Sequence, residues 1–340
     1  MRRLLGKIRS TKIDKNKFLL FILFFVIFVA GGVVGIFGWR YFSSCKSKFV
    51  FINPSLGCAP DTKFNKSNPI VLKDKLSSFI DSKRYNGEAS EVSVYFRDLN
   101  NGPTLGINED DLFISASLLK LPIALTLYKL AEDQNLGVLE QKLDFNLAPG
   151  AELNLVQYFK PSKTVQIGST YMVNELIYNS LVYSDNLSND VLKGYLTKIG
   201  KGQDFILRTL KELGLTEPAS IETSDISTRS YASIFRILYN ASYLSNEDSE
   251  KVLSILSQSE FDQGLAAGIP KDVKLANKFG ERDLPDQKQL HDCGIVYFPG
   301  NPYLICVMTR GENYDTLAGV IRDVSKMVYD EMLSRSNTKR

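Results

Sequence analysis

The hydrophobic pattern of this chain changes character three times. Residues 18–39 carry no charge at all, a run of 22 positions. At ~1.5 Å per residue a helix of that length covers about 33 Å, enough for the ~30 Å hydrocarbon core of a bilayer. Residues 41–68 are rich in Ser, Lys, Asn and Pro and have no apolar period, so they read as a linker. From residue 69 the pattern is globular. Apolar residues at helical spacing predict a helix over 71–83 and a long one over 116–132. A helical middle follows, with helices over 173–183, 188–199, 203–213, 228–244 and 247–258. The β-branched and aromatic runs 92–96, 273–278, 294–298 and 303–308 predict strands. A second short strand follows the Asn100-Asn101-Gly102-Pro103 turn, and a final helix spans 314–333.

Two strands, a helical block, three strands and a helix do not make a βαβ array. The short connections predict an antiparallel sheet. The first and last helices would cover one face, and the helical block would form a second lobe. A cleft between such lobes is a common place for a site. The expected organisation is a tail over 1–17, a span over 18–39, a linker over 40–68 and a domain over 69–340. Within that domain, 69–116 and 265–340 form the α/β part and 117–264 the helical part.

Charge placement orients this layout. Residues 1–17 hold seven Lys/Arg and one acid and sum to +6, so the remaining 323 residues sum to −3. Positive charge ahead of the apolar run keeps the N-terminus cytoplasmic and sends the body across the membrane. A cleaved signal peptide is the competing reading, but Trp39-Arg40 stands where small residues should prepare cleavage. The lipid bilayer is thus an expected partner through residues 18–39, with the catalytic domain extracytoplasmic at the cell membrane. A mildly acidic body gives no reason to expect nucleic acid. Cys45, Cys58, Cys293 and Cys306 all fall on the exported side, where disulfides form. Cys293 and Cys306 flank Pro299-Gly300-Asn301-Pro302 and could face each other across a hairpin. With one histidine and no CxxC pair, a zinc site is not expected, nor any other cofactor.

Three short motifs carry candidate chemistry. Ser117-Leu118-Leu119-Lys120 opens the long helix, and residues three apart share a face, so hydroxyl and amine can meet. A serine hydroxyl needs a base to become a nucleophile, and a lysine serves only when its pKa is lowered. Ser184-Asp185-Asn186 lies between two helices; it offers a proton relay and a substrate-binding amide, or simply a helix cap. Lys278-Phe279-Gly280 is placed at a strand end, where the lysine could hold an anionic substrate and depress Lys120. The glycine would let a substrate lie against the strand.

Together these motifs resemble those of the serine β-lactamase and penicillin-binding protein superfamily, most nearly the class A β-lactamase-like group. The resemblance implies an α/β sandwich (α+β), a five-stranded antiparallel sheet flanked by helices plus an all-α lobe. It implies an acyl-enzyme at Ser117 with Lys120 as base and Ser184 as proton donor to the leaving nitrogen. Asn186, Lys278 and Gly280 would bind substrate, and the N–H groups of Ser117 and Glu281 would form an oxyanion hole. The implied substrate is a small-molecule β-lactam or a cell-wall peptide. The implied activities are β-lactam hydrolysis of the antibiotic-resistance type, or D-Ala-D-Ala peptidase action with slow deacylation. A non-catalytic envelope sensor or scaffold of the same fold is the alternative outside catalysis.

Departures qualify this picture. Phe279 stands where a hydroxyl residue is usual, and Glu281 puts a carboxylate beside the oxyanion hole. The deacylating loop is short, with Glu217 and Glu222 its only glutamates. His291 with Asp292 is expected at the cleft mouth, assisting substrate binding or deacylation, or else in water on a hairpin. Arg282 and Arg310 are candidates to replace the lost carboxylate contact.

Overall fold

The computed structural model describes residues 15–43, 48–56, 70–100, 102–134, 137–146, 157–215 and 225–337. The chain forms two compact units, Met1–Lys48 and Phe49–Arg340. In the first, helix α1 (Lys15–Ser43) contains the stretch Leu19–Phe37, with a mean hydropathy of 3.0 and none of it buried. By length and composition it can cross a membrane.

In the second unit, α2 (Ile70–Tyr85) leads into the hairpin β1 (Glu91–Asp98) and β2 (Thr104–Ile107). Strand β3 (Leu112–Ile114) and a 3₁₀ turn, Ala116–Leu119, deliver the chain to α3 (Lys120–Gln134). Strands β4 (Lys142–Phe145) and β5 (Ser169–Met172) precede helices α4 (Val173–Val182), α5 (Asn186–Lys198) and α6 (Gln203–Glu212). Strand β6 (Asp225–Ser227) is followed by α7 (Thr228–Tyr239) and α8 (Asn246–Leu256). Strands β7 (Leu275–Asp283), β8 (Lys288–Val296) and β9 (Tyr303–Gly311) come before α9 (Tyr314–Asn337).

The main sheet has the order β2-β1-β9-β8-β7, and every neighbouring pair is antiparallel. Side chains alternate across it with the two-residue period of a strand. Ile305 and Val307 of β9 join Leu72, Leu76 and Ile80 of α2 and Ile321 and Val324 of α9 in one core. Leu304, Cys306 and Met308 face the other way, into a core shared with α3, α4 and α7. The expected five-stranded sandwich with a helical lobe is therefore the observed fold.

Three local expectations are corrected. Strands β7 and β8 extend well past the apolar runs that announced them, because Asn277, Lys278, Gln289, His291 and Asp292 are buried in the ladder with hydrogen-bond partners. Lys278-Phe279-Gly280 thus lies mid-strand, not at a strand end. Helix α7 stops at Tyr239, with Ala241 in the left-handed region at φ 44°. Finally, residues 49–56 belong to the globular unit rather than to a free linker. Glu250 on α8 accepts the main-chain N–H groups of Val50, Phe51 and Ile52, and Phe51 packs edge-on against Tyr297. Cys293 and Cys306 sit opposite each other in β8 and β9 and are disulfide-bonded. Cys45, Cys58, Glu217 and Glu222 lie outside the described residues.

Candidate active site

Ser117 is carried by the 3₁₀ turn between β3 and α3. Ala116 before it adopts φ 49°, a conformation that costs a non-glycine residue of order 1–3 kcal/mol and is common at functional sites. Tyr231 on α7 donates its hydroxyl proton to Leu118 O at 2.9 Å and holds the turn from below. Strand β7 closes on it from the side. A Cβ added to Gly280 would stand 3.0 Å from Leu118 N and 3.2 Å from Ser117 N. Glycine is needed there because the strand backbone runs directly against the turn that presents Ser117.

Lys120 begins α3 one turn after Ser117 and is 3% exposed. Its amine donates to the Ser184 carbonyl, to Ser184 Oγ at 3.2 Å and to Asn186 Oδ1 at 2.7 Å. Lys278, fully buried, donates to the same Ser184 Oγ at 2.9 Å and to Phe279 O at 2.8 Å. Ser184 itself sits at φ 55°. Asp185 caps α5, accepting from Leu187 N and Ser188 N, so the cap fixes the direction in which Ser184 and Asn186 point. The helix-cap reading of this motif is realised by Asp185, while Ser184 and Asn186 on either side of it accept from Lys120.

Burial pushes the Lys120 amine down to about 7, with Asp185, Asp190 and Glu281 opposing the shift. Lys278 is pushed down by its burial and then by the charge of Lys120. For Lys120 the downward push comes from burial, with Lys193 as the cation that adds to it; the charge effect between the two buried lysines is the one Lys120 exerts on Lys278.

A cavity of about 630 Å³ opens over this group, walled by Ser117, Lys120, Asn186, Gln157, Tyr158, Glu281 and Arg282 among others. Ser184 and Lys278 lie behind the wall, each 0% exposed. Glu281 accepts Tyr158 N at 2.8 Å and Phe159 N at 3.2 Å. Burial raises its pKa against the pull of those two N–H groups and of the two lysines. Phe279 turns to the opposite face of the sheet and stacks on Phe261 with ring centres 4.2 Å apart. The site therefore has no side chain from this position.

His291 is not at the cleft mouth, nor in water. It is fully buried in β8, its Nε2 is 3.0 Å from Ile114 O, and Phe113 packs edge-on against its ring. Burial pushes it down to about 4. It stays neutral and supports the strand that leads to Ser117, because Ile114 precedes the 3₁₀ turn. Asp292 points to the other face, accepting from Asn277 Nδ2 and Leu265 N. Of the two arginines, Arg282 lines the cavity, whereas Arg310 pairs with Glu91 and the Leu112 carbonyl. Sequence reasoning missed Gln157, Tyr158, Asn189, Asp190 and Lys193. The last three follow Asn186 at spacings of three, four and seven, so one face of α5 could have announced them.

Against known proteins, residues 72–332 match the Beta-lactamase enzyme family. No curated protein matches the chain. Among solved structures it resembles a variant of PBP-A captured as an acyl-enzyme complex with penicillin G (22% identity, 81% of this chain and 99% of that one, TM-score 0.64). It also resembles a β-lactamase from Chitinophaga pinensis (21% identity, 76% of this chain and 99% of that one, TM-score 0.64). A class A β-lactamase from Mycobacterium abscessus is similar too (19% identity, 77% and 99%, TM-score 0.64). At these identities the structures establish the fold, and the family match spans most of the chain. With its sheet, its helical lobe and the serine–lysine cluster between them, this chain belongs to the Beta-lactamase enzyme family.

Proposed function

We propose that this protein is a membrane-anchored serine acyl-hydrolase that β-lactams acylate at Ser117. The observation that carries the proposal is Lys120. It is buried, lowered to about 7, one helical turn from a half-buried serine on the same cavity wall, and hydrogen-bonded to Ser184 and Asn186. Neutral Lys120 takes the Ser117 proton as Oγ attacks the lactam carbonyl carbon. The oxyanion receives the N–H groups of Ser117 and Glu281, donors that act on charge present only along the reaction path. The C–N bond then breaks, and the nitrogen takes a proton from Ser184 Oγ, which recovers one from Lys120 across 3.2 Å. Water attacks the resulting ester and releases Ser117. Asn186 and the β7 edge hold the substrate, and helix α1 anchors the domain on the exported side of the membrane.

One observation favours a second outcome at the same site, long-lived acylation of the penicillin-binding peptidase kind. Among the described residues, the carboxylates on the cavity wall are all engaged. Asp190 pairs with Lys193 at 2.8 Å, Asp283 with Lys288 at 3.1 Å, and Glu281 with two main-chain N–H groups. An unengaged base to activate water is what rapid deacylation requires.

The test mixes the purified protein with a chromogenic cephalosporin and a fluorescent penicillin. Sustained colour change lost in Ser117→Ala supports hydrolysis. Stoichiometric labelling at Ser117 without turnover supports the second outcome. No labelling at all sinks both and leaves the sensor or scaffold reading.

A further inference from the structure

Two walls of the cavity are tied to each other by a carboxylate. On one side stands β7 with Glu281, on the other the segment Gln157-Tyr158-Phe159. The Glu281 carboxylate spans between them, one oxygen on Tyr158 N at 2.8 Å and the other on Phe159 N at 3.2 Å. A carboxylate that accepts two main-chain N–H groups makes charge-assisted bonds, stronger than neutral ones. The same segment is tied twice more. Gln157 Nε2 donates to the Ser184 carbonyl at 3.2 Å, and the Tyr158 hydroxyl donates to Asp315 on α9 at 2.7 Å. The Phe159 ring packs edge-on against Phe261 and Phe279. The segment is thus held to the helical lobe, to the sheet edge and to the last helix at once. Ser184, whose carbonyl Gln157 meets, and Lys278, bonded to the Ser184 hydroxyl, are each 0% exposed.

We propose that Glu281 is a specificity-determining residue: by bridging the walls it discriminates against acyl donors with bulky acyl side chains, which must break the bridge to reach Ser117. This rests on Ser117 being the acylated serine. A donor without an acyl side chain fits beneath the bridge, whereas a bulky one must displace Tyr158 and Phe159 from the carboxylate. The bridge also explains why position 279 carries a ring here. Phe279 forms the apolar seat into which Phe159 inserts, so the two departures from the family pattern, Phe279 and Glu281, secure the same segment.

The experiment uses the full chain in detergent micelles. Rate constants for acylation of Ser117 are measured by competition with a fluorescent penicillin for two donors: 6-aminopenicillanic acid, which lacks an acyl side chain, and a penicillin with a naphthyl-bearing one. Pocket contacts of this kind discriminate by about tenfold or more, so the bulky-to-small ratio is expected to rise about tenfold in Glu281→Ala. Glu281→Gln, close in volume, keeps the test open if the alanine variant unfolds; it retains one acceptor and is expected to give a smaller rise in the same direction. Deuterium exchange at the 158 and 159 amides is expected to quicken in both variants. An unchanged ratio, or unaltered exchange at those amides, overturns the proposal. Zero labelling of the wild-type protein by every donor overturns the acyl-enzyme reading itself, and differs plainly from equal, non-zero rates.

Discussion

Lys120 sits where three acceptors surround its amine, so the protonated form is saturated and only the neutral form has a lone pair to offer Ser117. With its pKa pushed down to about 7, the base is mostly spent below neutrality. Acylation of Ser117 should therefore climb about tenfold per pH unit below 7 and level off above it, measured by fluorescent-penicillin labelling across pH 5–9. A flat profile would remove Lys120 as the base. His291 and Asp292 carry a second pH effect, on stability. His291 falls from 6.5 to about 4 on burial, so its contribution is full above 6.5 and is lost as pH falls through 4. Asp292 rises from 3.8 to about 6, so its contribution is full below 3.8 and is lost as pH rises through 6. The two nearly cancel across pH 4–6.5. Asp292→Asn removes the Asp292 part of this offset, so stability should fall more steeply between pH 6.5 and 4 than in the unsubstituted protein, read by urea titrations, with the raised carboxyls of Asp248 and Glu281 still opposing the fall. Ser117, Lys120, Ser184 and Asn186 were legible because each motif is local, four residues or fewer. The burial of His291 and the Glu281 bridge were not, because their partners lie 177 and 123 residues away.

At the level of elements, the decisive contact is β7 against the 3₁₀ turn. Gly280 permits it, and Gly280→Ala places a methyl group 3.0 Å from Leu118 N, tighter than ordinary packing. The turn must yield by a few tenths of an ångström, carrying Ser117 with it. We expect a stability loss of about 1–3 kcal/mol and labelling slowed about tenfold, read by thermal melts and acylation kinetics on the same sample. A variant that labels at the wild-type rate would mean that the strand does not set the position of Ser117. The same strand explains what was legible among the elements. Helices with a clean apolar stripe, such as α4, α6 and α8, start and stop within two residues of their predicted bounds. Strands β7 and β8 were read short because half of their residues are polar, and only the tertiary partners of Lys278, Gln289 and Asp292 make burial tolerable there. The short pairs β3–β6 and β4–β5 went unread for a different reason: three or four residues hold too little alternation to stand out.

For the molecule as a whole, composition drew the boundary of the globular unit about twenty residues too late. Phe49-Val50-Phe51-Ile52 is a four-residue apolar island in a polar stretch, too short to signal an element. Its role emerges only against α8, the end of α7 and Tyr297. There Glu250 accepts three consecutive N–H groups, and Asn53 bonds to Tyr239 O and Asn240. Tyr297 donates to Phe51 O. Phe51 and Ile52 end up 8% and 2% exposed. Burying two such side chains contributes about 1.5–3 kcal/mol each, and without the strap the Glu250 carboxylate loses its three donors. For a body of this size one kcal/mol moves the melting temperature by about 2–4 °C. A chain starting at residue 57 should thus melt about 10 °C below one starting at Phe49, and Glu250→Gln in the longer chain should reproduce part of that drop. Equal melting temperatures would show that the strap is carried by the domain rather than stabilising it. The expected drop would instead make residues 49–56 a working part of the fold, tied through Asn53 to the C-terminal end of α7, the helix whose Tyr231 supports the Ser117 turn.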